Sequence, residues 1–130
     1  MQRAGMFLAL FALALPQALL AQETVKKKYE RDVITREEIQ ERAPDAKSAY
    51  DVIKRLRPQF LRTRPSGSMQ NKNPVTVKVY VDGSLRGGTY VLRDLISHSV
   101  ISIMYLDGSD ATTRFGTNHE NGAILVKTGA

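Results

Sequence analysis

Catalysis and metal binding need particular side chains at particular spacings, and few of them occur in these 130 residues. The two histidines, His98 and His119, are far apart, and there is no cysteine. Metal sites draw on clustered His, Cys and carboxylates, so no metal site is expected. Ser109 sits in "DGSDA" between acidic residues. A hydrolytic serine stands on a sharp strand-to-helix elbow in a Gly-x-Ser-x-Gly frame, with a base nearby. "DGSDA" lacks that frame and reads as a turn whose Ser or Asp caps a short helix. "RGGTY" has paired glycines but not the Lys-Ser/Thr of a phosphate loop. The expectation is a protein with no cofactor and no catalytic centre.

What remains is charge. "KRLRPQFLRTR" places Lys54, Arg55, Arg57, Arg62 and Arg64 within eleven residues, interleaved with Phe60. Such a run could follow a phosphate backbone, or form a solvated helix face that leads into a loop. The N-terminus argues against nucleic acid. Arg3 is its lone charge, Met6 to Leu15 is an apolar run of ten, and Pro16 and Ala21 follow. That is the order of a secretory signal peptide, and the run is shorter than the roughly 20 residues a bilayer span needs. Residues 1–21 are therefore expected to be a leader cleaved after Ala21. An exported chain meets anionic envelope components or envelope proteins, and these are the expected partners of the five basic residues. Lacking cysteine, it would carry no disulfides. This leans toward a bacterial envelope: the periplasm or the inner face of the outer membrane.

Cleavage would leave 109 of the 130 residues, with 18 basic and 13 acidic side chains, enough for one modest core. Residues 22–31, charged and without a sustained apolar face, read as a flexible tether, and 32–130 as one domain. "DVIT" suggests a short strand, and Thr35 with Glu38 a capping box on the following helix. Pro44 ends that helix and Asp45 is expected to cap the next. There Ala46, Ala49, Tyr50, Ile53 and Leu56 share one face, up to a stop near Pro58.

A polar, turn-rich loop is expected over 62–74. "VTVKVYV" alternates, with Val75, Val77, Val79 and Val81 on one face and Thr76, Lys78 and Tyr80 on the other. "DGSLRGG" is expected as a turn and "YVLRDLI" as a short helical stretch. Residues 99–106 form a strand, "DGSDATTRFG" a turn with one helical turn, and "GAILVKT" the last strand. The fold class is α+β: a small mixed β-sheet with one or two helices. Its core is expected on Val77, Val79, Ile101, Ile103, Ile124 and Val126.

The string "VYVDG…GG…VISIMYLDGSDATTRFGTNHENGAILVKT" resembles the second half of the plug domain of TonB-dependent outer-membrane receptors. In that family a valine-rich strand ends in Asp-Gly, as at Asp82 and Gly83. An Ile/Val-rich strand follows, as at Val100 to Leu106. Next come an alanine and an aromatic-Gly pair, as at Ala111, Phe115 and Gly116. Asn-Gly, here Asn121 and Gly122, then opens a strand of the Ile-x-Ile type that ends in Thr, here Thr128. The resemblance implies that Gly122 is a left-handed or close-approach position at which the closing plug strand begins. It also implies a monomeric, non-catalytic binding domain associated with TonB-dependent receptor systems. The alternative is a plug fragment of a split or truncated receptor, acting only with a separate barrel chain.

Overall fold

A computed structural model describes residues 29–63 and 76–129. The expected leader, most of the tether, Arg64, most of the 62–74 loop and Val75 lie outside the described residues. The rest forms an α+β fold on a five-stranded mixed sheet of order β1-β4-β5-β2-β3. The strands are β1 (Val33–Thr35), β2 (Lys78–Val81), β3 (Ser84–Gly87), β4 (Val100–Leu106) and β5 (Ala123–Thr128). β2 and β5 run parallel and the other neighbours antiparallel. Helices α1 (Arg36–Arg42) and α2 (Ala49–Leu56) precede the sheet's centre, and α3 (Gly108–Phe115) joins β4 to β5. Among the described residues no helix is long and apolar enough to cross a membrane.

Alternation sends Val79, Val81, Ile124 and Val126 to one face of the sheet. There they meet Val52, Ile53, Leu56 and Phe60 in the main core. Val77, Val79, Ile103 and Ile124 are fully buried and Val126 nearly so, as expected; Ile101 is only half-buried. The cause is a register shift between Val100 and Ser102 against β5. One extra residue in a strand changes which side chain points inward, so Val100 takes the core position.

The opposite face carries one apolar row across all five strands. Val33 pairs with Met104, Met104 with Leu125, Leu125 with Tyr80, and Tyr80 with Leu85. α3 packs over the part of this face around Tyr80 and Ala123, while Leu85 and Met104 stay exposed. Tyr80, assigned by alternation to the polar side of its strand, is buried for that reason.

Several local expectations change. Ser48, not Asp45, caps α2: its hydroxyl accepts from Asp51 N–H and the Asp51 carboxylate accepts from the Ser48 N–H, a full capping box. The residues just before are held extended, with Ser97 N–H donating to Lys47 O and Ala49 N–H to Leu95 O. Thr35 caps α1 as expected, but the Glu38 carboxylate turns inward to arginines instead of back to the cap. Ser84–Gly87, expected as part of a turn, is a strand, and "GSDATTRF" forms a helix of eight residues rather than one turn. "TYVLR" is a short 3₁₀ helix, and another follows Arg57 at Pro58–Leu61.

Candidate functional site

The sequence proposes two groups of site residues, one by charge and one by resemblance. The structure does not assemble the first as a single patch. Lys54 and Arg55 lie on the exposed side of α2. Arg55 donates to the Asp45 carboxylate from Nη1 and Nη2, the latter at 3.0 Å. That ion pair lowers the Asp45 carboxyl and raises Arg55 from their ordinary values. Arg62 is exposed, and Arg64 lies outside the described residues.

Arg57 is a correction. Its side chain is 9% exposed and belongs to the interior. Nη1 donates to Glu38 Oε1 (2.9 Å) and to Leu56 O (3.0 Å), and Nη2 to Glu38 Oε2 (3.2 Å) and Glu30 O (2.8 Å). Nε donates to Arg31 O at 3.1 Å. A guanidinium has five N–H donors, and all five are used. Glu38, 1% exposed, also accepts from Arg42 at 2.8 Å. Burial forces this arrangement, because an unpaired charge inside a protein is costly. Arg57 therefore has no donor left for a partner. It also fixes residues 30 and 31, the end of the expected flexible tether, to the domain, and Tyr29 donates to Glu41 at 2.5 Å. The tether's described end is bound.

The second group lies along β2, α3 and β5. Asp82 (φ 49°) and Gly83 (φ 84°) form the two-residue turn between β2 and β3. Two positive φ values give the turn whose twist suits a hairpin. The Asp82 carboxylate reaches across to the end of β5, accepting from Thr128 N–H at 2.8 Å and Thr128 Oγ1–H at 2.5 Å. Those two hydrogen bonds hold the Asp82 carboxyl below its ordinary range. Ala111 is fully buried where α3 meets the sheet, and Phe115 stacks on Tyr80 at 4.1 Å. Gly116 ends α3 at φ 92°.

Asn121 and Gly122 then admit β5. Gly122 has φ 91°, and a Cβ there would lie 2.5 Å from Leu106 O and 2.8 Å from the Tyr105 hydroxyl. Gly122 is thus both positive in φ and a close approach, and only glycine satisfies both. These residues, scattered over 41 positions from Asp82 to Gly122, build one structural unit around α3, β2 and β5.

His119, which the sequence raises only as a possible metal ligand, also belongs to that unit. His119 is 6% exposed, and its Nδ1 lies 3.0 Å from Gly116 O and 3.1 Å from Thr117 O. Carbonyls only accept, so in the neutral ring Nδ1 carries the proton and Nε2 accepts from the Tyr80 hydroxyl at 2.7 Å. The pair spans 39 positions, and only the tertiary fold brings it together. Among the described residues no group of three or more His, Asp or Glu could hold a metal ion. No protein-family model matches this chain, and no curated protein matches it.

Proposed function

We propose that this protein is an exported plug-like binding domain of the bacterial cell envelope, working without catalysis in association with TonB-dependent receptor systems. One observation carries the reading. The short motifs on which the resemblance rests close on one another in space: Asp82 on Thr128, Phe115 on Tyr80, and Gly122 beneath Leu106 and Tyr105. The sheet and α3 supply a rigid scaffold, and the expected leader supplies the compartment. Partner binding falls to exposed surface, where Lys54 and Arg62 are the described members of the basic group that make no ion pair among the described residues.

The test is a cross-linking pull-down of the tagged protein from its own cell envelope, at low and moderate salt. A specific receptor or other envelope partner should be recovered, and less of it at the higher salt if charge contributes. Replacing Lys54, Arg62 and Arg64 with Gln should reduce that recovery. Recovery from the cytoplasmic fraction alone, or ion uptake by this chain alone in reconstituted vesicles, would overturn the reading.

A further inference from the structure

Away from the basic face of α2, the β3 edge of the sheet sets exposed apolar side chains beside cations. Among the described residues β3 pairs with β2 alone, and Ser84, Leu85 and Arg86 are all exposed. Proteins blunt such edges with charges and bulges. β3 has both, Arg86 and a register shift against β2 between Val79 and Tyr80. Pairing with a further strand is therefore disfavoured, and the edge presents its side chains instead.

Two of them are large and apolar. Leu85 is 51% exposed and ends the apolar row, beyond the part that α3 covers. Tyr90 follows in the 3₁₀ helix Thr89–Arg93 and is 67% exposed. Its ring rests on two glycines. A Cβ at Gly87 would lie 2.3 Å from the Tyr90 hydroxyl, and one at Gly88 3.4 Å from the ring. Gly87 also has φ 138°, so only glycine seats the ring there. The aromatic side chain is thus held against the edge strand while most of it meets water.

The charge beside them is positive. From Ser84 to Arg93 the chain carries Arg86 and Arg93 and no carboxylate. Arg93 lies over the Tyr50 ring, whereas Arg86 is exposed at the edge, as is Lys127 near the end of β5. Asp82, the carboxylate at this corner, spends both oxygens on Thr128. The complement is an anionic surface, and its kind follows from size. A specific protein interface takes about 20–30 residues from each side, far more than this edge offers. Contact with a membrane interface needs only a few apolar and aromatic side chains, with cations that meet anionic headgroups. We propose that the β3 edge docks on an anionic phospholipid surface. Leu85 and Tyr90 enter the headgroup region, and Arg86 and Lys127 meet its phosphates. The proposed envelope location supplies such a surface, but the contact is distinct from the partner sought by pull-down and is tested without it.

The experiment is co-sedimentation of the full chain with vesicles of phosphatidylcholine alone and of phosphatidylcholine mixed with phosphatidylglycerol. Wild type and variants share one N-terminus, so binding by the expected leader cancels between them. Phosphatidylglycerol should raise the affinity, and added salt should reverse the gain. Arg86→Gln with Lys127→Gln should weaken binding to the anionic vesicles by about twentyfold, the scale of two surface charges. Leu85→Ser should weaken it by about fivefold, the scale of half a leucine side chain. Both variants change exposed residues, so thermal midpoints should hold. The chain has no cysteine, so a polarity-sensitive label can be placed at Ser84→Cys or at Gln59→Cys. Gln59 lies with Arg31 and Asp32, which precede the opposite edge strand. Only the Ser84 label should report a less polar environment on anionic vesicles. Four outcomes overturn the proposal: no gain from phosphatidylglycerol, affinity unchanged in both variants, a response from the Gln59 label alone, and equal binding of polyglutamate through the same residues. The last would make the edge a site for acidic protein.

Discussion

Arg57 shows how far a residue's role depends on where its backbone is placed. In sequence it is one of five equivalent cations; in the fold it spends every donor inside. Truncating Arg57→Ala would leave Glu38 buried beside Arg42 alone, whose own side chain is 45% exposed. Removing one partner of a buried pair costs about 3–5 kcal/mol, and urea denaturation should show a loss of that size. Replacing both members with apolar side chains, Arg57→Met with Glu38→Leu, should recover much of it, because no charge then remains buried. A double mutant as unstable as Arg57→Ala would place the cost in the backbone carbonyls that Arg57 holds.

Asp82 gives a second residue-level expectation, in pH. Hydrogen bonds from Thr128 lower its carboxyl, so the folded state favours the ionised form more than the unfolded state does. The contribution to stability is therefore present above the unfolded carboxylate value and lost as pH falls through the lowered folded one. An NMR titration of the Asp82 side-chain carbon should have its midpoint below the ordinary aspartate range. Thr128→Val should move that midpoint upward. A midpoint unchanged by that substitution would mean that the hydroxyl contributes nothing.

At the scale of elements, the strands divide into those whose alternation decides their faces and one that a register shift redirects. β2 and β5 follow alternation directly, so Val79, Ile124 and Val126 are legible as core. β4 does not: its irregularity at Val100–Ser102 gives the inward position to Val100 and leaves Ile101 half-buried. Ile103→Ala, at a fully buried site, should destabilise by about 2–5 kcal/mol, combining lost transfer energy and a residual cavity. Ile101→Ala should cost clearly less, since part of its surface already meets water. Equal losses in chemical denaturation would show that the shift does not govern burial. α3 escaped notice as a full helix because "GSDATTRF" is polar and carries a glycine, which lowers helix propensity. Packing of Ala111 and Phe115 against the far face of the sheet overrides that weak preference.

For the whole molecule, the described N-terminal segment acts as part of the domain. Arg57 binds the carbonyls of Glu30 and Arg31, and β1 then pairs with β4. A chain starting at Tyr29 keeps the described anchoring contacts of this segment. One starting at Val33 should lose stability, because two of Arg57's five donors lose their acceptors. Comparing the two truncations by thermal unfolding checks this; identical midpoints would show that the anchoring carries no weight.

The sequence alone determined what depends on near neighbours. Alternation marks the β2 and β5 faces, and 3.6-residue spacing marks the buried side of α2. The Thr35 cap follows from residue types at a fixed offset, and the positive φ at Gly122 matches what the resemblance implied. The α+β class follows from the order of those elements. Only the tertiary structure decided what depends on partners remote in the chain. It turned Arg57 from surface to interior, 19 positions from Glu38, and joined Tyr80 to His119 across 39. It also covered the middle of an apolar row with α3 and gathered a cleft beside Tyr105. Local propensity is written in adjacent residues. Burial and charge pairing are settled only when distant segments displace water from each other.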